Sequence, residues 1–199
     1  MRKKQPKVPN DTRTKLLALA ARMFGSEGYS ATTMRNIADQ AGIEAASIYY
    51  HFASKEELVD EVMSHGADVI VAQLKEQLDA LPSNAGAEQR LKAAMVGQMT
   101  GQIRFGDFAL ANSRLLGQLP ERVRERQIKR REEHQKLWNA LLDDLRTEGL
   151  MRKDLDLALC RVFLLSSMNS VQTWFNPRKG SLEKVVEQLC AIFFDGVRP

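Results

Sequence analysis

The sequence predicts an all-α protein of about nine helices, in which a small N-terminal three-helix unit precedes a larger helical domain. Apolar residues recur at intervals of three and four along most of the chain, and the alternating runs typical of strands are scarce. Turn-forming glycine and proline residues occur at residues 82–86, at Gly149 and at residues 177–180. A chain of 199 residues, 44% of them hydrophobic, is long enough to bury a core in one or two domains.

The N-terminal unit carries the sharpest local signals. A helix is expected over residues 11–26, after a basic segment, residues 1–10, that we expect to be disordered. Residues 33–52 then predict two short helices joined by a tight turn. Thr33 can cap the first of them because its hydroxyl lies near the free backbone N–H groups. Gly42 tolerates the left-handed backbone that ends a helix.

The fourth helix is expected to begin near Ser54, which forms a capping box with Glu57, and to end at about residue 81. Residues 82–86 are the clearest linker signal in the chain. Further helices are predicted over residues 87–104, 107–116, 120–148, 154–175 and 181–197. The chain then divides into the arm at residues 1–10, a first domain at residues 11–60 and a second domain at residues 61–199.

Positive charge is concentrated at the N-terminal end. Residues 1–55 contain nine Lys/Arg and four Asp/Glu, whereas residues 56–199 contain twenty and twenty-one. The formal net charge of +4 therefore arises from the first quarter of the chain. Because nucleic-acid affinity depends on neutralising phosphates, this distribution suits a nucleic-acid partner, and a solvated basic tail explains it equally well.

The second helix within residues 33–52 has a slim leading end. It begins with three small residues, Ala45, Ala46 and Ser47. Such a helix can enter the major groove of DNA because no bulky side chain holds its backbone away. Two methyl groups and one hydroxyl suit thymine methyls and groove shape, so direct readout of guanine would have to come from Arg35 or Ser47.

Several pieces between residues 24 and 58 occur in a recognisable order. They are Phe24 with Gly28-Tyr29-Ser30-Ala31-Thr32-Thr33, Arg35-Asn36-Ile37-Ala38, Ala41-Gly42, Ser47-Ile48-Tyr49-Tyr50-His51-Phe52 and Ser54-Lys55-Glu56-Glu57-Leu58. Together they resemble the DNA-binding signature of the TetR/AcrR (tetracycline-repressor) family of bacterial transcription regulators. The match covers the first third of the chain, and the rest resembles the family only in length and helical pattern. The resemblance implies a helix-turn-helix unit and sequence-specific regulation of transcription.

The resemblance also implies roles for single residues. Tyr49 and Tyr50 would anchor the second helix by touching the phosphate backbone and the groove wall, although Tyr49 could instead only pack. Lys55 would contact a phosphate, since the start of a helix and an ammonium group both favour one. The residues predicted to contact a palindromic double-stranded DNA operator are Thr33, Arg35, Ala45, Ala46, Ser47, Tyr49, Tyr50, His51 and Lys55.

The last two predicted helices carry more apolar surface than one core-facing stripe requires. Serines at close spacing in residues 154–175 would let helices approach tightly. The family resemblance implies that these two helices pair with their copies in a four-helix interface, and a protein that reads two-fold DNA sites needs such symmetry. The residues predicted at this homodimer interface are Val162, Ser166, Ser170, Val186, Leu189 and Phe193.

A site for a small-molecule effector is predicted in the second domain. Residues 87–116 combine Met and Phe with glycines, so they could reshape around an apolar ligand, although such residues more often form plain core. The helix at residues 120–148 has polar groups at one end of a face and apolar groups at the other. That arrangement suits a ligand with an anionic head and an apolar body. The predicted ligand-binding residues are Met99, Phe108, Gln127, Arg130, His134, Trp138 and Trp174.

Further pieces lie in the second domain. They are Arg131, Lys136-Leu137-Trp138, Glu148-Gly149, Arg152 with Asp154-Leu155-Asp156, and Trp174 with Pro177. These pieces are similar, more loosely, to the branch of the family that senses acyl-CoA thioesters in steroid or fatty-acid breakdown. The resemblance implies a homodimeric repressor that leaves its operator when an acyl-CoA or another amphiphile binds.

Other classes of function find little support in the sequence. It shows no Ser-His-Asp arrangement, no phosphate-binding glycine loop and no metal-ligand spacing, so we predict no enzyme, no catalytic or metal site and no cofactor. Cys160 and Cys190 lie among apolar residues and are expected to be buried reduced thiols, which indicates the cytoplasm. No apolar run is long enough to span a membrane. The alternatives are a ligand-independent activator, a nucleoid-type DNA-binding protein and, more remotely, a helical enzyme.

Overall fold

The computed structural model describes residues 12–198 and contains only helices and their connections there. The helices are α1 (Thr12–Glu27), α2 (Met34–Ala41), α3 (Ala45–Ile48), α4 (Lys55–Asp79), α5 (Ala87–Arg104), α6 (Gly106–Leu115), α7 (Glu121–Thr147), α8 (Leu157–Met168), α9 (Val171–Trp174) and α10 (Leu182–Val197). A 3-10 turn, Leu116–Gln118, joins α6 to α7. The all-α prediction is confirmed, and the arm at residues 1–10 lies outside the described residues. None of these helices is both long and apolar enough to cross a membrane.

Helices α1, α2 and α3 surround an N-terminal core. Phe24, Ile37, Ile48 and Phe52 have no exposed side-chain surface in it. Helix α6 also packs into this core, since Leu115 is fully buried there. The N-terminal unit is therefore attached to the rest of the chain through α6 as well as through α4.

Helix α4 belongs to two cores. Its first half places Leu58, Val62 and Met63 in the N-terminal core, and its second half places Leu74 in the C-terminal core. The predicted division at residue 60 falls inside this continuous helix. Helix α4 therefore connects the N-terminal core to the C-terminal core without a break.

Two glycines bring α5 close to α4. A Cβ atom on Gly97 would lie 2.6 Å from Leu74 Cα and 2.7 Å from the carbonyl oxygen of Gln73. One on Gly101 would lie 3.0 Å from Ile70 Cα. A side chain at Gly97 would therefore force the two helices apart. These glycines allow close packing of α5 on α4.

The C-terminal core joins α4, α5, α7, α8 and α10. Trp138, Met95 and Leu164 are buried in it, and both cysteines are buried free thiols, as predicted. Burial raises the pKa of the Cys190 thiol to about 11, so this thiol is protonated at neutral pH.

The single helix predicted over residues 154–175 is in fact two helices. Helix α8 ends at Met168 and the one-turn helix α9 begins at Val171, with Ser170 (φ −108°, ψ 10°) between them. No proline or glycine marks this break in the sequence. The break buries Val171 and leaves Trp174 46% exposed.

Candidate DNA-binding surface and effector cavity

The turn between α2 and α3 is fixed by local backbone chemistry. Thr33 Oγ1 accepts the backbone N–H of Asn36 at 3.1 Å and so caps α2. Gly42 ends α2 in the left-handed conformation, with φ 71° and ψ 31°. A Cβ atom there would meet nothing within 4 Å, so backbone conformation alone favours glycine. Ile48 anchors α3 on the core, and its opposite face is left open.

The residues predicted to contact DNA all lie outside the core. Tyr50 is 88% exposed and Tyr49 is 55% exposed. The exposed members are Thr33, Arg35, Ala46, Tyr49 and Tyr50, and the half-buried members are Ala45, Ser47, His51 and Lys55. The small residues at the start of α3 and the two tyrosines after it therefore border an open surface, the DNA-binding surface of the following sections.

Lys55 is held at the start of α4. The N-cap Ser54 accepts the N–H of Glu57 at 3.0 Å, and the Glu57 carboxylate accepts the N–H of Ala53 at 2.7 Å, one residue before the predicted position. The Lys55 ammonium lies 4.1 Å from the centre of the Tyr29 ring. Partial burial lowers the pKa of Lys55. An ammonium group held at a helix N-terminus is well placed for a phosphate.

A cavity of about 1100 Å³ lies between α4, α7 and α8, with α5 and α6 as its floor. Ile70 and Val71 of α4, Ala109 of α6, and Val162 and Leu165 of α8 give it apolar walls. The volume slightly exceeds the usual range for small-molecule pockets, so the cavity has room for a large ligand.

The cavity wall is rich in basic side chains, with seven Lys/Arg against three Asp/Glu. The basic residues are Lys75, Arg126, Lys129, Arg130, Arg131, Lys136 and Arg161, and the acidic ones are Asp68, Glu132 and Glu133. Arg126 pairs with Asp60 at 3.0 Å and Arg130 pairs with Asp68 at 2.5 Å, both on α4. The excess of positive charge favours an anionic group on the ligand.

Two of the seven predicted ligand-binding residues, Arg130 and His134, line this cavity, and the other five do not. Those five are Met99, Phe108, Gln127, Trp138 and Trp174. Met99 and Trp138 are fully buried in the C-terminal core, and Phe108 packs against the N-terminal core. The prediction that Met99, Trp138 and Phe108 face a ligand is corrected because their apolar surface is used for packing. Trp174 is 46% exposed and lies outside the cavity lining, so its predicted contact is corrected as well. A second cavity, about 660 Å³ between the end of α7 and the start of α8, contains none of the seven.

Gln127 joins α7 to α4 instead of facing the cavity. Its Nε2 donates to the Asp60 carbonyl oxygen at 3.1 Å, to Asp60 Oδ1 at 2.8 Å and to Ser64 Oγ at 3.1 Å. The side chain is buried. Its predicted role as a contact for a ligand head group is therefore replaced by a structural one.

The cavity floor carries polar side chains that we did not predict. Gln98 and Gln102 of α5 both donate to Asn169 Oδ1, at 3.4 and 3.1 Å. Both glutamines are buried and line the cavity. The sequence pattern that could have identified them is a pair of glutamines four residues apart among apolar residues of one helix. This spacing places both side chains on one face.

His134 adjoins this group as a neutral imidazole. Its Nε2 lies 2.8 Å from Gln98 Oε1 and accepts the indole N–H of Trp138 at 3.1 Å. Burial, with the positive charges of Arg131 and Arg161, lowers the pKa of His134 to about 4. The floor of the cavity is therefore polar and uncharged at neutral pH, in contrast to its basic wall.

An apolar surface is exposed on α8 and α10. Leu159 is 70% exposed and Phe163 is 56% exposed, and Ile192 of α10 is exposed as well. Of the predicted interface residues, Val162, Ser166 and Ser170 are exposed and Leu189 is half-buried. Val186 and Phe193 are buried in the core of the same chain, so the prediction that they contact a partner is wrong.

The chain matches two families over most of its length. Residues 16–62 match the family described as bacterial regulatory proteins, tetR family, and residues 84–197 match the family described as tetracyclin repressor-like, C-terminal domain. The chain belongs to the TetR family. This membership confirms the helix-turn-helix fold and makes the protein a transcriptional regulator.

Curated relatives within the TetR family agree with this assignment. The transcriptional repressor KstR2 of Mycobacterium tuberculosis is 34% identical over 191 residues, which cover 94% of each chain. KstR2 of Rhodococcus jostii is 29% identical over 198 residues, which cover 93% of this chain and 90% of the relative. The fatty acid metabolism regulator protein of Bacillus subtilis is 24% identical over 204 residues, which cover 99% and 98%. These TetR relatives are regulators rather than enzymes.

Solved TetR structures show the same architecture. The structure of KstR2 of Mycobacterium tuberculosis superposes with a TM-score of 0.80 at 32% identity and covers 96% of both chains. The structure of AibR in complex with isovaleryl coenzyme A and operator DNA gives a TM-score of 0.78 at 21% identity, covering 92% of this chain and 98% of AibR. The AibR likeness establishes a shared fold.

Proposed function

We propose that the protein is a homodimeric repressor that leaves its operator when an acyl-CoA thioester, or another amphiphile with an anionic head, fills the cavity. The observation that carries this proposal is the cavity itself, in which apolar side chains adjoin the basic wall. The coenzyme A part of a thioester carries phosphate charges and the acyl part is apolar, so its two ends match the two parts of the cavity. The names of the relatives, which include a fatty acid metabolism regulator protein, are consistent with this ligand class.

Operator binding is assigned to the DNA-binding surface around α3. Ala45, Ala46 and Ser47 would lie deepest in the major groove, and the exposed Tyr50 would touch the backbone beside it. Lys55, held against Tyr29 at the start of α4, would contact a phosphate.

Dimerisation is assigned to the exposed apolar surface of α8 and α10. Leu159, Val162 and Phe163 lie three and four residues apart, so they form one stripe along α8, and Ile192 exposes apolar surface on α10. Two copies of this surface would make a four-helix contact with two-fold symmetry, which a palindromic operator requires.

Release is assigned to α4, because ion pairs connect the basic wall of the cavity to this helix. A bound phosphate would compete with Asp68 for Arg130 and with Asp60 for Arg126. Loss of these ties would favour a position of α4 in which the two DNA-binding units no longer match major grooves about 34 Å apart. The ligand acts only through its higher affinity for that conformation.

The proposal is tested on an operator selected from random DNA with the purified protein. Fluorescence anisotropy would follow release by saturated acyl-CoA thioesters from acetyl to palmitoyl, by free coenzyme A and by free fatty acids. We expect at least one thioester to release the DNA at a concentration about tenfold lower than either of its separate halves. Release by free coenzyme A at the same concentration, or no release by any thioester or fatty acid, would overturn the proposal.

A further inference from the structure

Gln102 carries a buried polar atom without a hydrogen-bond partner. Its side chain is 5% exposed and lines the cavity. Its Nε2 donates to Asn169 Oδ1 at 3.1 Å, whereas its Oε1 finds no partner among residues 12–198. Buried amide oxygens are nearly always paired, so this atom marks a place where a ligand can form a hydrogen bond.

The surroundings of Gln102 define what that ligand group can be. Gln98 and Asn169 are engaged with each other, and His134 is neutral at pH 7. Ile70 of α4 packs against Gly101, the residue before Gln102, and the cavity lining also includes the apolar Leu165 of α8. The site therefore suits a small uncharged polar group attached to an apolar body.

A carboxylate or a phosphate does not fit at this position. Its oxygens would face the lone pairs of Gln102 Oε1, and neither group carries a proton to donate to the other. A cation fits no better, because Arg131 and Arg161 lie close enough to depress the pKa of His134. A hydroxyl fits, since it donates to Oε1 and would also accept from the amide if the side chain were turned over.

We propose that Gln102 is a recognition site for a hydroxyl group on the apolar body of the effector. The inference rests on the proposed function for the anionic head of the ligand and adds a requirement for its other end. The basic wall would select the coenzyme A part and Gln102 would select a hydroxylated acyl part over a saturated one.

The first test compares dodecanoyl-CoA with four hydroxylated derivatives, which are isomers of one another with the hydroxyl at carbon 3, 6, 9 or 12. Binding is measured by calorimetry on the wild type, on Gln102→Leu and on Gln172→Leu. Gln172 is the matched control because its Oε1 also lacks a partner, but the residue does not line the cavity. We expect one isomer to bind the wild type and Gln172→Leu about tenfold more tightly than dodecanoyl-CoA, and this advantage to vanish in Gln102→Leu.

Equal affinity for dodecanoyl-CoA and all four isomers would overturn the inference, as would an advantage that persists in Gln102→Leu. A set of 3-, 6-, 9- and 12-oxo thioesters gives a further outcome. If a ketone binds more tightly than the matching alcohol, the site selects an acceptor and the hydroxyl assignment is wrong.

A second measurement decides the site even if no thioester binds, which would be a failure of the proposed function alone. The side-chain amide signals of Gln102 in ¹⁵N-labelled wild-type protein are assigned from their loss in Gln102→Leu. Millimolar cyclohexanol should shift them, whereas methylcyclohexane, of similar size, should not. Equal shifts with both fragments, no shift with either, or a shift confined to Gln172 would contradict the assignment.

Discussion

The guanidinium of Arg131 donates a hydrogen bond to the backbone carbonyl of Asn112 at 2.6 Å. Arg131 lies on α7 in the cavity wall, and Asn112 lies on α6. The Asn112 side chain in turn donates to the Met63 carbonyl of α4 at 2.8 Å. Asn112 can reach this position because Gly66 has no side chain, since a Cβ atom there would lie 2.4 Å from its Nδ2. A path of contacts therefore runs from the cavity to the helix that begins beside the DNA-binding surface.

Replacing Asn112 with alanine should weaken the coupling between effector and operator. The Asn112→Ala variant removes the bond to Met63 and keeps the backbone carbonyl that Arg131 uses. We expect a loss of roughly 0.5–1.5 kcal/mol in unfolding free energy, a nearly unchanged operator affinity and a smaller drop in that affinity when effector is added. Anisotropy with and without effector measures the drop. Ser167→Ala is the control, because its hydroxyl donates to the Leu164 carbonyl of the same helix and the residue does not line the cavity. An unchanged drop in Asn112→Ala would remove this residue from the coupling path.

Removing the ammonium of Lys55 should weaken binding to every DNA sequence alike. Loss of one phosphate contact reduces the slope of log affinity against log salt by about one unit. The slope is measured by anisotropy between low and moderate salt for Lys55→Ala and for Lys184→Ala. Lys184 is exposed at the start of α10, so its variant loses the same charge away from the DNA-binding surface. Equal slopes in the two variants would show that Lys55 contacts no phosphate.

A charge on the exposed stripe of α8 should separate the dimer without unfolding the chain. Phe163→Glu places a carboxylate on a side chain that is already 56% exposed, so the monomer loses little packing. Sedimentation velocity should show a monomer with native helical circular dichroism. Ile128→Glu, at an exposed apolar residue of α7, should stay dimeric, whereas Phe193→Glu should unfold because Phe193 is core. A dimeric Phe163→Glu at micromolar concentration would place the interface elsewhere.

The sequence predicted the N-terminal unit well because its signals are local. Thr33 and Gly42 act on backbone groups a few residues away, so their roles follow from neighbouring residues alone. The residues that line the cavity were harder to predict, since a Met or Trp at helical spacing suits a core and a ligand site equally. Whether Trp138 faces a ligand depends on how α5 and α8 pack against α7, which no local pattern encodes.

The dimer surface shows the same limit. Phe193 and Ile192 are adjacent apolar residues on one helix, and only the packing of α10 on α5 decides that the first is buried and the second exposed. The break after α8 is another case. It carries no proline or glycine, and Asn169 at this position bonds to Gln102 of a distant helix.

His134 should make folding stability depend on pH between about 6.5 and 4. Its pKa is about 4 in the folded chain, below the value of 6.5 for a free imidazole. In that window the unfolded chain binds a proton that the folded chain does not, so stability is complete above pH 6.5 and falls as the pH falls. The loss should reach at most about 3 kcal/mol. Urea unfolding of wild type and His134→Gln at pH 7, 6 and 5 isolates the contribution of His134 to the unfolding free energy. If that free energy falls equally with pH in the two proteins, His134 is not the cause.

Effector-driven release from DNA in a variant whose cavity is filled shows whether the effector acts from this cavity. Val71 lies in the cavity wall on α4, and Val69, also half-buried on α4, does not. We expect Val71→Trp to bind the operator like the wild type and to need an about tenfold higher concentration of the best wild-type thioester for release. Val69→Trp should respond as the wild type does. Release of Val71→Trp at the wild-type concentration would show that the effector acts from another site.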